Sequence, residues 1–337
     1  MQSQLLSLTT ITVLAACVAP EPFMTEVEQH QGCQDWVCGS NSPMIANQGI
    51  WDLNVDGRLT ANGFRLARFD KDGKSYRMSV VGAEIIGTPI YGGYVIRNNG
   101  TVGATMRVVH EPTGIHYNIR IAQVKGTNYW AHRDSAVRST WTYELEWQSP
   151  DVPEYKDWQN ICSKPDPDDD SMEPFHAVVF EGDRIDPARK VVRAPEPGWF
   201  NIGCAGHALA KLHLTGHTEG AKVGDGFVTS TAERTTMLKM LSGDYCGNGN
   251  AYTVAGVDLA WKDHRGWMRF PTFLTPVEAR WTPTGAACLN TPRLVANPTE
   301  DGDLQFPDGV KQAIARECSI PRCESTHEVF HLISGNP

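Results

Sequence analysis

Across residues 51–147 apolar and polar positions alternate. Tyr117, Ile119 and Ile121 are separated by Asn118 and Arg120, and Trp141, Tyr143, Leu145 and Trp147 by Thr142, Glu144 and Glu146. Successive side chains of a strand point to opposite faces, so a period of two predicts strands with one buried and one wet face. Asp56-Gly57, Asp72-Gly73, Asn99-Gly100 and Pro112-Thr113-Gly114 punctuate the runs and predict tight turns between antiparallel neighbours. Regular strands and turns of this kind predict a small sandwich or barrel. The aromatic row 141–147 fits a buried sheet face, with a sugar-stacking platform as the alternative.

The alternation lapses over 151–175, where Asp166, Asp168, Asp169, Asp170 and Glu173 stand among Pro165, Pro167 and Pro174. That composition predicts an exposed acidic linker; it lacks the Gly and closing Glu of a calcium loop. Residues 177–180 form an apolar run before Gly182-Asp183, expected as strand and turn. Cys204, Ala205, Ala208, Leu209 and Leu212 then fall at helical spacing, with Asn201 as N-cap and Gly216 as stop. A second helix opens at Ser230-Thr231-Ala232-Glu233, which has capping-box spacing. It buries Met237, Leu238, Met240 and Leu241 and ends at Gly243, where positive φ is free of steric cost. Past a turn at 247–250, Val257, Leu259 and Trp261 alternate with Asp258 and Ala260, a strand pattern. Gly243-Asp244-Tyr245-Cys246-Gly247-Asn248-Gly249 is therefore the corner between a helix and a strand.

This corner resembles the Ala-Asp-Tyr-Cys signature of the ADYC domain family, with Gly243 in place of the family Ala. The strand ending at Trp261, Glu278-Ala279-Arg280-Trp281 and Gly285-Ala286-Ala287-Cys288-Leu289 are similar to that family too, so the likeness spans about 199–294. The resemblance implies a domain of unknown function found largely in secreted or lipid-anchored bacterial proteins. It implies no activity.

At the N-terminus, 5–16 is an apolar run too short to span a bilayer, ending in Leu14-Ala15-Ala16-Cys17. That resembles a lipobox, so 1–16 is expected to be removed and Cys17 acylated, giving a membrane partner through a lipid anchor. The alternative is an ordinary signal peptide cleaved nearby with Cys17 left free. The leader Met1-Gln2-Ser3-Gln4 departs from the usual pattern in lacking Lys and Arg. Val18 is not the Asp that often retains lipoproteins in the inner membrane, so the outer membrane is expected. Nine cysteines less Cys17 leave Cys33, Cys38, Cys162, Cys204, Cys246, Cys288, Cys318 and Cys323, an even set that in an exported protein predicts disulfides. Pairing is open, with the local pairs Cys33–Cys38 and Cys318–Cys323 favoured because short loops close cheaply.

A hydrophobic share of 41% over 337 residues supports a sizeable core, and a formal charge of −9 without a basic run argues against a nucleic-acid surface. No phosphate-cradling loop, dinucleotide fingerprint or Gly-x-Ser-x-Gly elbow is present. His327-Glu328-Val329-Phe330-His331 matches a zinc-protease pattern; with only six residues after it, a third ligand is expected to come from upstream if at all, and zinc is not the expected reading. His207, His213 and His217 are expected on the surface. Cys246 at a helix C-terminus is disfavoured as a thiolate, and Cys204, better placed for one, is also expected in a disulfide. Asp244 and Tyr245 are expected to tie down the turn.

The expected fold class is α+β: a lipoprotein signal peptide (1–16), a tether with Cys33 and Cys38 (17–48), a β-rich sandwich or barrel-like domain (49–150), the acidic linker (151–175) and a disulfide-stapled α+β domain (176–337). The expected function is non-enzymatic binding of a glycan, a peptide or another envelope protein, or a structural role, without cofactor or metal. The alternative is an exported hydrolase with Asp244, Tyr245 and Cys246 at its site and His207 or His264 beside them.

Overall fold

The structure, a computed structural model, describes residues 42–131, 138–162, 176–221, 223, 228–252, 259–265, 277–293, 305–323 and 332–335. Its strands begin with Met44–Ile45 (β1), Gln48–Gly49 (β2), Asp52–Asn54 (β3), Phe64–Lys71 (β4), Lys74–Val81 (β5), Glu84–Pro89 (β6) and Ile96–Arg97 (β7). Thr105–His110 (β8), Ile115–Asn128 (β9), Ser139–Gln148 (β10), Gln159–Asn160 (β11), His176–Glu181 (β12), Arg184–Asp186 (β13), Val191–Arg193 (β14) and Trp199–Cys204 (β15) follow. Two helices come next, Ala208–Leu214 (α1) and Thr231–Ser242 (α2). The chain continues through Ala260–Asp263 (β16), Val277–Thr282 (β17) and Gly285–Leu289 (β18) to helix Gln305–Glu317 (α3) and Leu332–Gly335 (β19). The protein is β-rich, mostly sheet with three α-helices among the described residues.

Eleven strands share one antiparallel sheet in the order β3-β15-β12-β10-β9-β8-β4-β5-β6-β7, with β11 beside β10. The turns at Asp72-Gly73 and 112–114 join consecutive strands, as their composition predicts. The sheet also curls back on itself. The Tyr143 hydroxyl on β10 donates to the Ala83 carbonyl at 3.0 Å and accepts from the Ile85 N–H at 2.9 Å, and the Glu181 N–H bonds the Gly82 carbonyl at 3.0 Å. Inner-face residues from both edges therefore meet in one core, among them Leu53, Phe64, Met106, Ile119, Tyr143, Trp147, Val179 and Phe200. The aromatics of β10 contribute to this core, Tyr143 at 0% and Trp147 at 5% exposure.

Strands β12 and β15 follow the acidic stretch expected as a linker, yet both hydrogen-bond into the sheet built before it. β12 is buried on both faces. Ala177 and Val179 enter the first core, while Val178 and Phe180 enter a second one with Leu209, Leu212, Met237, Met240, Tyr245, Trp261 and Trp281. A strand covered on both sides needs an unbroken apolar run rather than an alternation, which is why 177–180 reads as it does. A four-stranded antiparallel sheet, β16-β19-β17-β18, closes the far side of the second core.

The helix expected around Cys204 begins later. All six residues of β15 are buried as strand, Gly206 turns the chain at φ 78°, and α1 starts at Ala208 with His207 as N-cap rather than Asn201. A strand buried on both faces and a helix inward on one side supply the same apolar spacing, so the periodicity does not separate them.

Candidate functional site

Helix α2 positions the corner. The Ser230 hydroxyl accepts from the Glu233 N–H at 3.2 Å, and the Ser230 N–H donates to Glu233 Oε2 at 2.8 Å, the reciprocal bonds that the sequence spacing predicts. At the other end Gly243 takes φ 64° and its N–H returns to the Met240 carbonyl, while the Asp244 N–H reaches the Lys239 carbonyl at 2.9 Å. Twelve residues at about 1.5 Å rise separate the helix ends by about 18 Å.

The corner itself is sealed. Asp244 is 0% exposed and its Oδ2 accepts from Lys239 Nζ at 2.7 Å and from the Gly249 N–H at 3.0 Å. Lys239, also buried, completes its donors on the carbonyls of Arg189 and Gly247 at 2.9 and 3.1 Å. Asp244 Oδ1 is buried without a hydrogen-bond partner among the described residues. The Tyr245 hydroxyl donates to Glu278 Oε1 and accepts from the Arg293 N–H at 3.2 Å, and Arg293 Nε closes on Glu278 Oε1 at 3.0 Å. Burial lifts the Tyr245 phenol well above its ordinary value, and the Glu278 carboxylate adds to that. Burial also works against ionised Glu278, but Arg293, together with hydrogen bonds from Ser334 and Tyr245, outweighs it and holds that carboxyl below the usual range. The Tyr245 ring lies 5.1 Å from that of Trp281. Gly247 and Gly249 admit no side chain: a Cβ would stand 1.9 Å from the Thr284 carbonyl oxygen and 1.7 Å from that of Ala188. Asp244 thus anchors the turn as its sequence position predicts, through an ion pair as well as a backbone bond.

Cys246 is bonded to Cys318, just past α3, and Cys288 on β18 to Cys323. The local Cys318–Cys323 pair is therefore corrected. The two cysteines flank a non-helical stretch and are drawn to different partners, one to the corner and one to β18, because packing and not loop length decides which sulfurs meet. Cys204 on β15 pairs with Cys162, just past β11, within the first core. Cys17, Cys33 and Cys38 lie outside the described residues, as do 163–175 with their carboxylates and the 327–331 motif.

The three histidines expected on the surface are buried, at 6%, 0% and 2% exposure for His207, His213 and His217. His213 sits between Tyr129, Thr140 and Thr218 at 3.1, 3.0 and 2.8 Å and stacks on Phe180. Desolvation holds its imidazole down at about 3, that of His207 at about 3 with Lys211 adding to the effect, and that of His217 at about 4. Small polar neighbours let a neutral imidazole be buried, and these are scattered along the chain, so no local spacing announces them. His264 does not approach the corner. It faces Glu233 at 3.3 Å, at the opposite end of α2.

Charged residues that sequence reasoning passed over brace the same helix. Arg234 on α2 pairs with buried Asp183 and with Glu219, the latter at 2.7 Å. Burial pushes Asp183 up to about 6 against the opposing pull of Arg234. One signal was available: Glu233, Arg234 and Lys239 do not segregate from the apolar positions of α2, which marks a helix enclosed on every side with its charges paired.

Two concave surfaces stand out among the described residues. On the outer face of β4, β8, β9 and β10, Arg68 stands opposite Arg107, Arg107 opposite Asn118, and Asn118 opposite Gln148. Asp70 bridges the two arginines at 2.5 and 3.4 Å, and Trp158 flanks the resulting concavity of about 290 Å³. A second cleft, of about 560 Å³, lies between Ser79-Val80, 195–199 and Glu219, with Asp56, Glu181 and Glu196 on its walls. Among the described residues no cluster of three or more His, Cys, Asp or Glu is arranged to hold a metal ion.

In comparison with known proteins, a family model described as the ADYC domain matches residues 99–295. No curated protein and no solved structure matches the chain.

Proposed function

The chain belongs to the ADYC domain family, and from that premise we propose that it is an exported, lipid-anchored envelope protein whose role is binding or structural rather than catalytic. The observation that carries this reading is the state of the family signature. Asp244 and Tyr245 are buried and Cys246 is in a disulfide, so the signature holds a corner together and offers no reactive group to solvent. The hydrolase alternative needs a histidine beside Asp244, and the candidates His207 and His264 serve instead as the N-cap of α1 and as a partner of Glu233.

In this reading 1–16 is removed, acylated Cys17 anchors the protein in the outer membrane, 17–48 is the tether, and the curled sheet is a barrel-like body carrying an α+β cap. The ligand is a glycan, a peptide or another envelope protein, and the polar face around Arg107 is its seat. Guanidinium, carboxylate and carboxamide groups in rows, with an indole at the edge, supply the hydrogen bonds and ring contact that sugar hydroxyls and faces use.

Non-reducing peptide mass spectrometry of natively exported protein tests the anchor and the staple together. The expected result is an acylated Cys17 peptide with Cys246 linked to Cys318. A free Cys246 thiol with the other cysteines accounted for would return the corner to the list of reactive centres. For the ligand, a glycan array probed with the chain and with Trp158→Ala should show hits that weaken at least tenfold in the variant.

A further inference from the structure

We propose that the loop at 90–95, Ile90-Tyr91-Gly92-Gly93-Tyr94-Val95, is a lipid-contacting tip that rests in the interface of an anionic membrane. It joins β6 to β7 at the edge of the large sheet. Tyr91 and Tyr94 are 88% and 90% exposed, and Ile90 and Val95 are 50% and 52% exposed. Four adjacent apolar or aromatic side chains standing in water on one short loop mark an interaction site, since soluble surfaces scatter such residues singly. The backbone is defined at its base, where the Ile90 N–H bonds the Ser75 carbonyl at 3.1 Å, and it protrudes at its apex, where a Cβ on Gly92 would meet nothing within 4 Å.

Shape, size and charge select the occupant. A stable protein interface takes about 20–30 residues a side, and this protruding tip offers six. A bilayer needs no matching pocket. Tyrosine suits its boundary, with the ring at the acyl edge and the hydroxyl among the headgroups. The surrounding charge fits as well. The chain carries a net −9, yet the strands below this loop present Lys71, Lys74, Arg77 and Arg97 against Asp70, Asp72 and Glu84, of which Asp70 is already engaged by Arg68 and Arg107. Arg97 lies 3.7 Å from Glu84 and Lys71 Nζ bonds the Gly100 carbonyl, which leaves exposed Lys74 and Arg77 available to phosphate. Basic residues beside a membrane surface are drawn to anionic lipid over about a Debye length.

This contact is made by protein side chains and does not rest on acylation of Cys17, so the test removes the acyl chain. The mature chain 17–337 carrying Cys17→Ser is sedimented with vesicles of phosphatidylglycerol and phosphatidylethanolamine and with vesicles of phosphatidylcholine alone. The expected result is binding to the anionic vesicles that falls at least tenfold in Tyr91→Ser/Tyr94→Ser, rises in Tyr91→Trp/Tyr94→Trp, and weakens with salt. Both positions are solvent-exposed, so thermal unfolding should stay unchanged. Equal sedimentation of the three proteins, or none, would overturn the proposal. So would a concentration-dependent dimer that the serine pair abolishes, because the occupant would then be a second copy of the chain.

Discussion

Lys239 and Asp244 bring opposite charges into a space that water does not reach, and such a pair matters most when half of it is taken away. Asp244→Ala would leave an ammonium group facing only carbonyls. The expected loss is about 3–5 kcal/mol, read from urea unfolding of the oxidised protein. Lys239→Met combined with Asp244→Leu should recover part of it, because the two apolar groups remove the buried charges but leave the Gly249 N–H without its acceptor. A loss below about 1 kcal/mol in the single variant would show that the pair contributes no more than a surface ion pair. Gly249→Ala tests the same knot without touching charge. The added methyl runs into the Ala188 carbonyl at a φ of 100°, and the variant should accumulate poorly even with Lys239 and Asp244 intact.

At the scale of the element, α2 shows what local sequence can specify. Its start is set by Ser230 and its stop by Gly243, and both are legible because each acts on backbone groups within four residues. Ser230→Ala should cost about 1 kcal/mol, measurable as a lower urea midpoint at unchanged slope. The strands β9 and β10 are legible for a similar reason, since alternation reports a face. Other features depend on what lies across the core. The 199–212 segment divides into strand and helix because β15 pairs with β3 and β12. His213 is buried because Tyr129, Thr140 and Thr218 arrive from three other places in the chain. The tips of Cys246 and Cys318, 72 residues apart, meet only once α3 has docked. At the candidate site the corner's position and its tying-down role were legible, whereas its partners Lys239, Glu278 and Arg293 were not, because no periodic rule links a buried charge to its counter-charge.

For the molecule as a whole, the three enclosed imidazoles make stability a function of pH. Their folded values of about 3 to 4 lie below the unfolded value of about 6.5, so the unfolded chain binds protons that the folded chain refuses. Their contribution is intact above about pH 6.5 and declines as pH falls toward 4, each histidine losing about 1.4 kcal/mol per pH unit once its unfolded form is fully protonated. Asp52 and Asp183, raised by burial to about 6 against their arginines, act in the opposite sense between about pH 4 and 6. Two aspartates with shifts near two units do not cancel three histidines with larger ones. Thermal unfolding should therefore shift to lower temperature from pH 7.5 to pH 5, and His213→Gln should flatten that slope by about one histidine's share. A flat profile would mean that the imidazoles take up protons while folded.

The pairing of Asn54 on β3 with Trp199 on β15 sets a timetable as well as a shape. At about 5–20 residues per second, a ribosome delivers the second strand on the order of 10–30 s after the first, and the edge of the sheet has no mate in the interval. Under the export proposed above, that interval has a use: the edge at β3 stays open while the chain is being made, and the sheet is completed only after residues 199–204 have followed.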